Sequence, residues 1–399
     1  MRRQSAADVA RWLPARGLSQ LARRHGGRVG PTTAFPPGVF SRTLPALTVA
    51  VEVKLAVAVS IEELLASLPI AVVVPAYQAE RTIAAVLGSI PSFVRRVVVV
   101  LDGCSDATGA LVDRAAAGDP RVVRIDHDEN RGVGAAMRSG YERAIADGAE
   151  IVAKMDSDGQ MDPAYLAALL MPIALGRADY TKGNRFLRPR EIRSMPLVRL
   201  VGNATLSFLA KLSTGYWHIL DPTNGYTAIS REALSAIDQD HLDDRFFFES
   251  SMLAELSLVR AVCVDVAMPA RYGTEDSHLS VSRSLFEFSL KHARSFVRRI
   301  FLRYLVLDFS AVSLLLALSL PMAIFGVVFG LRSWMHSSVY GVPATAGTVM
   351  LAAFTTAAGF FGLVQAMVYD IMSVPQVPLT LPKLGVVVPN LVERSGADR

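Results

Sequence analysis

The chain has 399 residues, 51% of them hydrophobic, a net charge of +5 and two cysteines. That length accommodates two structural units, one of them with a substantial core. Cys104 and Cys263 make neither a disulfide framework nor a cysteine metal cluster, and fit a reducing compartment. The basic balance does not indicate nucleic acid as a partner. Residues 1–50 hold eight arginines against the single acid Asp8, so the rest of the chain is slightly acidic.

Residues 1–60 are rich in Arg, Pro, Gly and Ala and lack a sustained period. Glu52 and Lys54 interrupt the apolar stretch Leu44–Ser60, which is therefore a poor signal core and a poor membrane span. This segment is expected to be a disordered or dispensable leader. A translation start further downstream is an open alternative, since the first convincing strand begins at Ile70.

From Ile70 to about Tyr180, short Val/Ile-rich runs (Ile70–Val74, Val97–Leu101, Val122–Ile125, Ile151–Met155) alternate with amphipathic stretches (Ala79–Ser89, Thr108–Ala117, Val133–Ala146). This alternation predicts an α/β fold with a mostly parallel sheet covered on both faces. Such sheets bind ligands at the carboxyl ends of their strands. A helix-like Phe246–Leu258 and a strand-like Arg260–Ala267 extend the same domain, expected over residues 68–280.

Two nearly charge-free stretches follow, Phe309–Leu331 and Ala344–Tyr369. At about 1.5 Å per residue each exceeds a hydrocarbon core of roughly 30 Å, which predicts two transmembrane helices within residues 308–371. Pro321 predicts a kink in the first span. The Gly326/Gly330 pair has the spacing of a close helix contact. Upstream, over residues 284–307, Lys291, Arg294, Arg298, Arg299 and Arg303 alternate with Phe296, Val297, Ile300, Phe301 and Leu302. This pattern predicts an amphipathic helix lying in an anionic lipid surface. The positive-inside rule then puts the α/β domain and the tail, residues 374–399, in the cytoplasm of a cell with this protein in its inner membrane; Arg332 is the only Lys or Arg between the spans.

The sharpest motif is Lys154-Met155-Asp156-Ser157-Asp158-Gly159-Gln160-Met161-Asp162-Pro163. Two carboxylates two residues apart after a buried strand, with a nearby amide, are hard oxygen ligands suited to Mg²⁺ or Mn²⁺. Such a cation offsets the charge of a diphosphate leaving group. Asp162 before Pro163 reads as a helix N-cap. Three companions end the earlier strands: Val74-Pro75-Ala76-Tyr77-Gln78-Ala79-Glu80, Leu101-Asp102-Gly103-Cys104-Ser105-Asp106-Ala107-Thr108, and Asn130-Arg131-Gly132-Val133-Gly134-Ala135-Ala136. Met137 stands at the third glycine position of a dinucleotide fingerprint, which therefore fails.

Together these motifs resemble inverting family-2 glycosyltransferases of the GT-A fold, over about residues 70–275. The nearest branch includes dolichol-phosphate mannose synthase and bacterial polyprenyl-phosphate glycosyltransferases. The resemblance implies a UDP- or GDP-linked sugar donor, with Pro75, Tyr77, Glu80, Asp102 and Arg131 on the nucleotide side. It implies metal and diphosphate at Asp156, Asp158 and Gln160, and Arg185 of Gly183-Asn184-Arg185-Phe186 on the phosphates, a task that suits a planar guanidinium. Asp221 of Asp221-Pro222-Thr223-Asn224-Gly225-Tyr226 falls in the family's acceptor-side loop, where it orients substrate or starts a turn. Arg271-Tyr272-Gly273 and His278 resemble the family's late basic loop. Leu101, Gln78 and Cys104 depart from the usual pattern and leave the base undetermined. The Gln-x-x-Arg-Trp signature of processive synthases is absent, which favours a single transfer.

The implied reaction is in-line displacement with inversion onto a lipid-linked acceptor, polyprenyl phosphate, whose ionised oxygen needs no strong base. A hydroxyl acceptor would need one, with Asp244 or Glu249 as candidates. A non-catalytic membrane scaffold is the alternative of another class, and a homo-oligomer stays open. His218, His241 and Glu255 read as structural or solvated, and no histidine spacing suggests zinc.

Overall fold

The computed structural model describes residues 61–185, 197–269 and 281–380. The expected leader, Phe186, Arg271, Tyr272, Gly273, His278 and the tail beyond Thr380 lie outside the described residues. In chain order come β1 (Ile70–Ala76), α1 (Ile83–Ser89), β2 (Arg96–Asp102), α2 (Thr108–Gly118), β3 (Val122–His127), α3 (Val133–Ala146) and β4 (Ile151–Lys154). There follow α4 (Leu166–Ala174), β5 (Tyr180–Asn184), α5 (Leu197–Thr214), β6 (Thr227–Ser230), α6 (Arg231–Ala236), α7 (Phe248–Leu258) and β7 (Cys263–Ala267). Then come α8 (Val281–Phe301), a π-helical turn (Leu302–Leu307), α9 (Ala311–Tyr340) and α10 (Ala346–Met372).

The seven strands form one sheet in the order β3-β2-β1-β4-β6-β5-β7. Only β6 runs against the others, pairing antiparallel with β4 and β5. The α/β architecture with a mostly parallel sheet is thus as expected. Side chains of a strand alternate between faces. On β1, Ile70, Val72, Val74 and Ala76 enter one apolar cluster with α1, α2 and α4, whereas Ala71 and Val73 enter another with α3 and α7. Burial on both faces is why these strands are unbroken Val/Ile runs.

Two of the boundaries that differ from expectation have a plain local reason. Ala79–Thr82 makes a turn, with Thr82 N and Ile83 N both donating to Ala79 O, so α1 starts at Ile83. The strand expected from Arg260 begins at Cys263, because Arg260 has φ +60° and Ala261 N closes the end of α7 on Leu256 O at 3.0 Å.

α9 and α10 are 30 and 27 residues long, with mean hydropathies of 2.4 and 1.7, and are long and apolar enough to cross a membrane. Outward side chains such as Phe325, Phe354 and Phe360 are exposed, a belt that water does not tolerate on this scale. α9 passes through Pro321 as one continuous helix and runs on to Tyr340, so Arg332 belongs to a helix and not to a loop. The two helices meet through small residues. A Cβ on Gly326 would collide with the backbone of Thr356, and one on Gly359 with the backbone of Ala323; at Gly330 the nearest atom, Ala352 Cβ, is 3.3 Å away. The Gly326/Gly330 spacing therefore faces α10, with Gly326 the tighter contact.

α8 has a strongly two-sided pattern, but its basic residues mostly face the protein. Lys291 pairs with Asp243 at 2.7 Å, Arg298 with Glu255, and Arg299 with Asp370 at 2.7 Å. Arg303 donates to Ser257 O and to Ser373 O. The outward face carries Leu290, Val297 and Phe301 instead. Carboxylates that are far away in sequence supply these partners, and periodicity alone does not reveal them. On the same buried face, seven residues before Arg299, His292 is 4% exposed, with Nδ1 2.8 Å from Ser213 Oγ and its ring edge-on to Phe247 at 4.8 Å.

Burial pushes the His292 imidazole down to about 4. An unfolded histidine protonates near 6.5, so between pH 6.5 and 4 the unfolded chain gains a proton that the folded chain refuses. The stability present above pH 6.5 is therefore lost as pH falls, by up to about 3 kcal/mol. Thermal unfolding of the detergent-solubilised protein should show this acid loss. His292→Leu should flatten it over that window.

Candidate functional site

The carboxyl ends of β1, β2, β4, β5 and β7 lie along one edge of the sheet, and the polar motifs gather there. The β1–α1 and β2–α2 loops are stitched together by their own side chains. Gln78 Nε2 donates to Ser105 Oγ at 2.7 Å, Ala107 N donates to Glu80 Oε2 at 3.2 Å, and Ala79 N donates to Thr108 Oγ1 at 2.9 Å. Gln78 adopts φ +50° to make these contacts. Tyr77 is 52% exposed on the rim, while Pro75 is buried within β1 opposite Val100.

Asp102 is buried and its carboxylate is already committed. Oδ1 accepts from Arg131 N at 2.9 Å and lies 2.8 Å from His127 Nδ1, and Oδ2 accepts from Gly132 N at 2.8 Å. Its effect on the rim therefore runs through the Arg131–Gly132 backbone, which it holds at the start of α3. Arg131 itself is exposed.

Beyond β4 the chain turns through Asp156-Ser157-Asp158-Gly159-Gln160. Gln160 N donates to Asp158 Oδ1 at 2.9 Å, and Thr82 Oγ1 donates to Ser157 O at 2.6 Å, which fastens the turn to α1. Asp162 caps the following 3₁₀ turn, its side chain accepting from Ala164 N as the Asp-Pro pair predicts. Asp158 and Gln160 are exposed and Asp156 is half-buried. Asp156 Oδ1 is buried and accepts no well-directed hydrogen bond, although Lys154 Nζ is 3.1 Å away.

Lys154 is the residue whose role the sequence pattern leaves unread. Its ammonium is 2% exposed and lies between Asp156 and Glu249, whose Oε1 accepts from it at 2.7 Å. Burial would depress this lysine, but Asp156 and Glu249 outweigh it and hold it above its ordinary value. Burial would likewise raise Glu249, but Lys154 and Lys182 bring it below the ordinary carboxylate range. Lys182, fully buried on β5, donates to Asn224 O; burial pushes it down to about 8, against Glu249 and Asp221. The signal was available: a lysine inside the apolar run Ile151-Val152-Ala153-Lys154-Met155 has to meet a carboxylate.

Asp221 and Arg185 are brought together. Arg185 Nε and Nη2 donate to the two carboxylate oxygens at 2.8 and 3.0 Å, and Arg185 N donates at 3.2 Å. Asp221 is fully buried, so it acts on the site through the guanidinium whose plane it sets. It also starts the turn, with Asn224 N donating to its backbone oxygen. The same loop closes over the motif at Gly225, where a Cβ would lie 2.8 Å from both Asp156 Oδ2 and Lys154 Nζ.

Of the two candidate bases, Glu249 is occupied by Lys154 and Asp244 is engaged by Arg138. Among the described residues no group of three or more His, Cys, Asp or Glu side chains converges. The buried Asp156 Oδ1 that accepts no well-directed hydrogen bond, and the exposed Asp158 and Gln160, are hard oxygen donors of the kind a divalent cation takes.

The model of the glycosyl transferase family 2 domain matches residues 71–238, which contain Tyr77, Asp102, Arg131, Asp156, Asp158, Gln160, Arg185 and Asp221, whereas Asp244 and Glu249 lie beyond it. The UDP-N-acetylglucosamine–dolichyl-phosphate N-acetylglucosaminyltransferase of Methanococcus voltae is 31% identical over 180 residues, 42% of this chain and 71% of the relative. The polyprenol monophosphomannose synthase of Mycolicibacterium smegmatis is 33% identical over 177 residues, 44% of this chain and 66% of the relative. Among solved structures, glucosyl-3-phosphoglycerate synthase from Mycobacterium tuberculosis aligns at 22% identity with a TM-score of 0.43, over 60% of this chain and 82% of that one.

Removing one partner of a buried ion pair costs about 3–5 kcal/mol, whereas replacing both with apolar groups is close to neutral. Lys154→Met should therefore destabilise the protein by that order in thermal unfolding. The double variant Lys154→Met, Glu249→Leu should recover most of the loss, and additive losses would show that the pair is not coupled.

Proposed function

Because the chain belongs to glycosyl transferase family 2, we propose that it transfers one sugar from a nucleotide-diphosphate donor to a polyprenyl phosphate at a membrane face. The observation that carries this reading is the strand-end edge itself. There the exposed Asp158–Gln160 turn lies in the same matched segment as the fixed Arg185–Asp221 pair. The named relatives, which act on dolichyl phosphate and make a polyprenol monophosphomannose, support the acceptor class. In this assignment the catalytic unit is residues 68–280 and the spans are its anchor.

Asp158 and Gln160, with Asp156 behind them, would hold a divalent cation, Mg²⁺ or Mn²⁺. When bound, that cation offsets charge on the leaving diphosphate. Lys154 keeps the Asp156 carboxylate directed, and Arg185, held flat by Asp221, presents N–H groups to phosphate oxygens. Tyr77 and Arg131 on the rim, with the Gln78–Glu80 and Asp102 scaffolds behind them, form the nucleotide side. A phosphate acceptor is already ionised, and this suits a site whose candidate bases Glu249 and Asp244 are both engaged by cations.

The two apolar helices support anchoring in a membrane. The basic residues flanking the first span support a cytoplasmic catalytic domain at an inner membrane.

The test is a transfer assay with the purified protein in lipid, labelled nucleotide-sugars and polyprenyl phosphate, with and without EDTA. Chelation should abolish transfer, and Asp158→Ala should lower kcat by roughly 100-fold or more. Transfer that survives both treatments would overturn the metal assignment. Transfer to hydroxyl acceptors alone would overturn the acceptor.

A further inference from the structure

One carboxylate near the end of α10 collects donors from three other segments. Arg299 Nη1 and Nη2 donate to Asp370 Oδ1 and Oδ2 at 2.7 and 3.0 Å, the Tyr304 hydroxyl donates to Oδ1, and Trp217 Nε1 donates to Oδ2 at 3.3 Å. Arg299 is 1% exposed and Asp370 is 7% exposed. Arg299 Nη2 also donates to Leu212 O at 2.8 Å. The second span is thereby joined to α8, to the π-helical turn and to the segment that runs from α5 to Asp221.

A second attachment lies past the span. The chain leaving α10 returns to the catalytic domain, where Leu379 N donates to both oxygens of the buried Asp179 at 2.9 and 3.0 Å. Val374 and Leu379 pack on the apolar cluster beneath the sheet. Keeping an enzyme at a bilayer requires only a tether. A buried bidentate ion pair is costly to desolvate and sensitive to direction, so what it adds over a tether is a fixed angle.

We propose that Asp370, with Arg299, Tyr304 and Trp217, locks the orientation of the catalytic domain on its membrane hairpin. The lock sets the height and tilt of the Arg185–Asp221 edge over the lipid plane. Its consequence for activity rests on the polyprenyl-phosphate reading above. These are positioning residues, since none is part of the strand-end site.

The double variant Arg299→Met, Asp370→Leu removes both charges of the pair together, so that neither is left buried without the other. Spin labels at the exposed positions Ala117 and Ser338 (through cysteine, in a Cys104→Ser background) report the domain–hairpin distance in the full chain in lipid nanodiscs. The unlocked variant should broaden a narrow distance distribution. Its kcat/KM should fall about tenfold or more for a long-chain polyprenyl phosphate in the bilayer, because small misplacements of reacting groups are costly. Transfer to a short, water-soluble prenyl phosphate and binding of the nucleoside diphosphate should be unchanged. An unaltered distribution, or equal losses with both acceptors, overturns the lock. Should the wild type use neither acceptor, the acceptor reading fails, and the distance distribution alone still decides the lock.

Discussion

An ammonium group surrounded by Val and Ile strands has no water to hold it, so the protein has to bring carboxylates to it from elsewhere in the chain. Lys154 imposes that condition at the centre of the sheet. Glu249 answers from α7, nearly a hundred residues on, and Asp156 answers from the turn that Lys154 itself precedes. The packing of α7 against the sheet, the direction of the Asp156 carboxylate and the fit of Gly225 over both follow from this one buried charge. Lys182, on β5, extends the same network toward Asn224 and Asp221. The charges behind the site's polar edge therefore offset one another within the chain, Lys154 with Glu249 and Asp156, and Arg185 with Asp221.

Local patterns carried much of the fold. The Val/Ile runs of β1, β2 and β4 are read directly because they are buried on both faces, and Val133–Ala146 is helical to the residue expected. Two of the boundaries that moved did so where the backbone closes a local turn, at Ala79–Thr82 and at Arg260. The antiparallel insertion of β6 between β4 and β5 is a matter of which strands meet in space, and periodicity is silent on it.

The candidate site was legible in its exposed members and obscure in its buried ones. Asp158 and Gln160 stand where a strand-end motif suggests. Asp102 and Asp221 have the residue types expected of ligand contacts, yet both are buried and spend their oxygens on backbone N–H groups and on Arg185. An aspartate's letter does not say whether it faces a ligand or holds the group that does. Only the partner, 29 residues away for Arg131 and 36 for Arg185, separates the two cases.

The same ambiguity governs the basic helix before the membrane. Five cations among apolar residues read as a lipid-facing stripe when only neighbours in sequence are weighed. Asp243, Glu255 and Asp370 turn three of them inward, and the outward face is left apolar with Arg294 at its rim. A helix docked in this way has an apolar outward face and turns its charge to the protein, the reverse of what a simple electrostatic anchor requires. Salt screens exposed charges that lie more than a Debye length apart but reaches buried pairs far less. The attachment of α8 to the domain should accordingly be set by packing and by buried carboxylates, and it should be indifferent to the anionic content of the membrane.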